Sequence, residues 1–196
     1  GLKIMMGTLL VNIVSYLAED NENLKLHSLS GKNIKKTISD ESIEIISIYM
    51  NSHSVRNLTT VSEYGELLKR IKDNERRISV DESDENIDVD LLFTDLRTNE
   101  LCFFEAKYSD DHDTDRFQGL NQKAIWTYAA LQNSLEKSEI EILRPNLLYF
   151  TERIRYEPQY IPEEYQFRGV KFFKKYFGYD ISDIGELLDK AADKMR

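Results

Sequence analysis

Apolar residues recur at helical spacing through residues 4–18, 40–53 and 61–73, with the second run opening at a Ser39-Asp40 cap. The period then changes. Residues 88–107 read DVDLLFTDLRTNELCFFEAK, two apolar strands joined by a turn placed within residues 95–100. A long helix follows near 116–136, rich in Leu, Ala, Gln and Lys. Strand or mixed segments are predicted at 140–150 and 169–173, and a terminal helix at 180–195. Helices on both sides of a strand-rich centre predict an α/β fold, and 196 residues can bury the core of a single domain spanning 1–196. Residues 1–80 form its mainly helical N-terminal part, and residues 85–180 carry the strands, the site and the nucleic-acid contacts discussed below.

The hairpin is also where chemistry is concentrated. Successive side chains on a strand alternate faces, so Asp88, Asp90 and Leu92 share one face, as do Phe103, Glu105 and Lys107 on the returning strand. With the turn centred within 95–100, Asp90 falls opposite Glu105 and Asp88 opposite Lys107. Two carboxylates and a lysine then converge at the open end of the hairpin, and a one-residue slip would separate them. Like charges side by side on a sheet are destabilising unless something pairs them. Magnesium is suited to that role, since it takes oxygen ligands from one or two carboxylates plus waters and phosphates, which Asp90 and Glu105 can offer. A lysine beside it can orient water or stabilise charge developing on a phosphoryl group.

These residues resemble the PD-(D/E)XK nucleases, and among them the type II restriction endonucleases. Asp90 matches the first acidic position and Glu105-Ala106-Lys107 the (D/E)XK element, at a family-like spacing; Val89 stands where the family often has proline. The following KYSDDHDTDRFQGLNQKAIWTYAAL and the aromatic stretch 143–179 are similar to such enzymes as well, so the resemblance covers roughly residues 85–180. The first eighty residues carry none. The resemblance implies a restriction-endonuclease-like α/β core, a mixed central β-sheet flanked by helices. It also implies a Mg2+-dependent endonuclease acting on double-stranded DNA at a specific sequence. Asp90 and Glu105 would bind the metal, the Ala106 carbonyl would complete its shell, and Lys107 would position or activate water, with Asp88 as the fallback for Asp90. Palindromic targets go with twofold symmetry, so a homodimer is possible. The alternatives are a repair or junction-resolving nuclease on the same scaffold, or a DNA-binding protein that keeps the fold without turnover.

Charge qualifies this picture. The net charge of −9 is concentrated in residues 81–116, with 13 acidic against 3 basic side chains, while the flanking parts nearly balance. Nucleic-acid binders are usually basic overall, so a separate positive groove is required. The candidates are Arg153, Arg155, Arg168, Lys171, Lys174 and Lys175, interleaved with 11 of the 21 aromatic residues between 145 and 180. The competing reading is that these rings are core and the cations a solvated face. Gln122 and Lys123 are further candidates to face phosphate, and Glu44, Glu63 or Glu66 to supply another metal carboxylate.

Other chemistries fit less well. There is no GxSxG, Walker-type loop or GxGxxG. Three His and one Cys are too few for zinc around Asp110, Asp111, His112 and Asp113. That segment reads as a loop with a helix cap at 113–115, and His112 as either a DNA contact or a loop residue without a role. Cys102 faces away from Glu105 and reads as packing. A single cysteine excludes an internal disulfide and fits a reducing, cytoplasmic setting. The apolar run 4–18 is too short to span a bilayer and has no basic leader or cleavage site, so it is expected to pack on the core with no membrane partner. Gly1 stands where a chain starts with methionine, so an earlier segment is expected to have been removed, or Gly1 to have been added.

Overall fold

The computed structural model describes residues 1–194. In chain order the elements are α1 (Leu2–Glu19), β1 (Leu24–Leu26), β2 (Lys32–Lys35), α2 (Asp40–Ser52), α3 (Val61–Arg77), β3 (Asn86–Val89), β4 (Leu91–Asp95) and β5 (Glu100–Lys107). They continue with α4 (Thr114–Leu131), α5 (Lys137–Glu141), β6 (Leu143–Tyr149), β7 (Gln166–Arg168), α6 (Gly169–Phe177) and α7 (Ile184–Lys194). The main sheet has the order β1-β4-β5-β6-β7, antiparallel through β5 and parallel from β5 to β7, while β2 and β3 pair separately. This is the expected mixed sheet flanked by helices.

Alternation along the central strands builds two cores, one on each face. Leu92, Leu101, Phe103, Leu147 and Tyr149 point to the side covered by α2, α3 and α4. Leu91, Phe93, Cys102, Phe104, Leu148 and Phe150 point to the side covered by α1, α6 and α7. Buried rings dominate the second core. Phe104 packs against Phe93, Phe167, Phe172 and Tyr176 at centroid distances of 5.1–5.6 Å, stacked on Phe93 and edge-to-face with the other three. Cys102 lies fully buried there, as expected, its thiol near the Tyr176 hydroxyl.

Local signals set most of the element boundaries. Ser39 caps α2 by accepting from the Ser42 N–H, and Asp113 caps α4 by accepting from the Arg116 N–H at 2.8 Å. In the hairpin turn, the Asp95 side chain accepts from the Arg97 N–H and Asn99 takes the left-handed conformation, φ 57°. Buried Glu75 of α3 accepts from Ser39, Ser42 and Asn133, tying α3 to the start of α2 and the end of α4.

Four expectations are corrected. The segment 169–173 is helix, because Phe172, Phe173 and Tyr176 fall on one helical face and Gly178, at φ 69°, ends it. Gly169 lets that helix start against β6, since a Cβ there would stand 2.3 Å from the Phe150 carbonyl oxygen. The helix after the site stops at Leu131, where the chain turns before Glu136 caps α5. The first helix runs the full Leu2–Glu19, 18 residues, and by length and composition alone would suffice to cross a membrane. Its inner face, Leu10, Ile13, Val14, Leu17 and Ala18, is nevertheless buried in the second core, while Leu2, Ile4 and Met5 stay exposed.

The fourth correction reaches the site. Residues 88–92 do not form one strand: β3 leaves to pair with β2, putting Asp88 opposite Asn33 rather than Lys107, and β4 begins only at Leu91. Asp90 is the residue at the switch.

Candidate active site

The site forms where β4 and β5 begin to part. Leu91 pairs with Phe104, so the register continues to Asp90 beside Glu105 as expected. Freed from strand pairing, Asp90 turns its carboxylate onto β5 and accepts the Ala106 N–H at 3.0 Å. That bond fixes Asp90 against the Glu105-Ala106-Lys107 segment. Its position at a strand break is what allows a side chain to replace a ladder partner.

Glu105 belongs to the same face as Leu101 and Phe103 and is driven inward with them; its side chain is wholly buried. One oxygen, Oε1, accepts from the Lys123 ammonium of α4 at 2.7 Å, while Oε2 has no hydrogen-bond partner. Burial first, and then the Asp90 charge, push the Glu105 carboxyl up to about 8; Lys123 and Lys107 offset this only in part. Lys123 loses ammonium stability to burial, but the Glu105 and Asp90 carboxylates outweigh the loss and raise it. A buried carboxylate oxygen without a partner is a costly arrangement unless a cation completes it.

A cleft of about 600 Å³ opens beside this pair, lined by Asp88, Asp90, Ala106, Lys107, His112 and Lys123 among others. Lys107 is exposed at its edge. His112 is half-buried; its Nε2 has no partner, and burial lowers its basicity. Among the described residues no three His, Cys, Asp or Glu side chains gather as a metal cage. Two carboxylates and a main-chain carbonyl would leave coordination places for water and phosphate, as magnesium prefers. The donor set therefore fits a hard divalent ion bound partly by its substrate. Glu63 pairs instead with His53, and neither it nor Glu44 nor Glu66 lines the cleft.

The predicted DNA-contact cations are divided by the fold. Lys171, Lys174 and Lys175 are exposed on α6, which packs on the sheet face opposite the one Glu105 occupies, and Arg153 is exposed in the loop after β6. Arg155 is exposed and bonds Asp111, a cleft residue that also pairs with Lys3. Arg168 is mostly buried and holds Asp110 at 2.8 Å. Most of the neighbouring rings are core. The cations lining the cleft come from elsewhere: Lys3 of α1, Lys32 of β2, and Arg116 and Lys123 of α4, beside Lys107. Lys123 is the one of them that the sequence offered as a candidate to face phosphate, and Gln122 beside it does not line the cleft; Lys3 and Lys32 are too far away in sequence to have given a signal.

Asp110 fastens the loop that carries His112. It accepts from the Arg155 and Tyr156 N–H groups and from Arg168. Burial would raise its carboxyl, but these bonds and the Arg168 charge outweigh burial and hold it below the usual value. Its stabilisation is thus fully present above about pH 4, the ordinary aspartate value, and is lost as pH falls through the lowered one. Asp110→Asn is expected to cost about 3 kcal/mol at neutral pH, the scale for breaking a buried pair. Urea unfolding at neutral and acid pH should show the difference shrinking with acidification.

A mixed sheet with helices on both faces, presenting an aspartate at a strand break and a Glu-Ala-Lys segment on the adjacent strand, defines a nuclease-like α/β core. The chain matches the model of the HinfI type II restriction endonuclease family over residues 1–190. It is 31% identical over 191 residues to the type II restriction enzyme HinfI of Haemophilus influenzae, covering 93% of this chain and 69% of that enzyme. The chain therefore belongs to the HinfI family of type II restriction endonucleases. No solved structure matches it.

Proposed function

We propose that this protein cuts double-stranded DNA at a specific sequence by magnesium-dependent phosphodiester hydrolysis at the Asp90–Glu105–Lys107 site. The observation that carries the reading is the buried Glu105 carboxylate, half unpartnered, behind a cleft whose lining includes Asp90, Ala106, Lys107 and Lys123. Asp90 and Glu105 would hold the ion, with the Ala106 carbonyl as a third donor. The bound ion supplies charge neutralisation at the phosphate and a more acidic water. Lys107, on the cleft edge two residues from Glu105, orients the attacking water and stabilises charge on the phosphoryl oxygens. The Ala106 N–H bond keeps Asp90 from turning away, so the carboxylates are aligned before substrate arrives. Lys3 and Lys32 add positive lining from outside the acidic segment, beside its own Arg116.

Digestion of genomic DNA with magnesium, and with chelator in its place, tests the reading when the ends are sequenced. Discrete fragments with a common end sequence, only in magnesium, are expected. Cuts confined to branched or damaged DNA would favour a repair nuclease, and retardation without cleavage a binding protein.

A further inference from the structure

Lys123 is the one ammonium in hydrogen-bond contact with the carboxylate pair among the described residues. Lys107, the lysine of the motif, acts on Glu105 only through its charge and less strongly than Lys123 does. Lys123 reaches Glu105 from α4, across the cleft lining, with 29% of its side chain exposed. Two neighbouring carboxylates, one fully buried, are thus balanced by one flexible cation that bonds a single oxygen. A lysine suits such a place, being a compact charge on a long stem that can withdraw without disturbing the helix. A divalent ion bonding the same carboxylate would do the lysine's work with twice the charge, and would repel the ammonium a few ångströms away.

We propose that Lys123 is a stand-in cation: it neutralises the Glu105–Asp90 pair while no metal is bound and competes with the divalent ion for it. The inference rests on the metal reading of Asp90 and Glu105. Lys123 is then a positioning residue, holding Glu105 in its ligand orientation. Because coupling between two bound cations is reciprocal, metal weakens the lysine's grip as much as the lysine weakens the metal's.

The test is thermal unfolding of wild type, Lys123→Met, Lys123→Arg and Glu105→Gln without DNA, in chelator and across a magnesium titration. Buffering at about pH 9 leaves protons as weak competitors for metal ligands. In chelator, Lys123→Met is expected to melt roughly 5–10 °C below wild type, and Lys123→Arg close to it. Magnesium should close most of the gap in Lys123→Met, with half-maximal stabilisation at about tenfold less magnesium than in wild type. A gap of the same size with and without magnesium would mean an ordinary structural ion pair and would overturn the inference. If magnesium stabilises wild type but not Glu105→Gln, the metal reading survives that failure; if it stabilises neither wild type nor Lys123→Met, both fall. Should Lys123→Met not fold, the ¹⁵Nζ resonance of Lys123 in wild type, assigned with Lys123→Arg, decides the matter. It should shift on adding magnesium, and constancy under saturating magnesium would refute the competition.

Discussion

Glu105→Gln is expected to lower the single-turnover cleavage rate by on the order of a thousandfold or more, because the change removes the charge that fixes the ion while keeping the shape of the side chain. The fold should survive. Oε2 makes no bond to lose, and the ammonium left behind on Lys123 has access to solvent through the cleft. Equal circular dichroism with and without the substitution, together with the loss of plasmid cleavage in magnesium, is the expected pair of results. Cleavage within tenfold of wild type would remove Glu105 from the site. Asp90 would then be left as a residue that merely closes the β4–β5 end through the Ala106 N–H.

Lys107→Ala carries the second large effect. Its side chain is exposed at the cleft edge, so stability should change by no more than about 0.5 kcal/mol, as for other surface positions. Cleavage should nevertheless fall by roughly a hundredfold or more, the usual cost of losing one well-placed charge stabiliser. DNA binding, measured by retardation, should persist, because Lys3, Lys32 and Arg116 still line the cleft. Full cleavage by this variant would move the water-positioning role elsewhere, and Lys123 is the ammonium nearest to taking it.

How much of this was legible follows from which interactions are local. The two apolar runs from Leu91 to Lys107 and the turn between them specified the register and which residues share a face with Glu105, while its full burial came from the helices docked over that face. Ser39 and Asp113 announced their helices through caps made within three residues. Short strands such as β1, β2 and β7 have too few residues to show a period. The aromatic stretch 143–179 left two readings open for a related reason: rings interleaved with cations fit a core and a nucleic-acid face alike. Their burial depends on a sheet and two helices meeting around Phe104.

The sequence by itself determined the α/β class, the central hairpin, and the register that sets Asp90 beside the Glu105-Ala106-Lys107 segment, all consequences of alternation and capping over a few residues. Tertiary structure alone decided that Asp88 pairs into a second small sheet while still lining the cleft, that Lys123 rather than Lys107 grips the buried carboxylate, and that Lys3 of α1 and Lys32 of β2 join the cleft's cations. Such contacts join residues far apart in the chain. They are set by how helices dock on the two faces of the sheet, which no short-range pattern encodes.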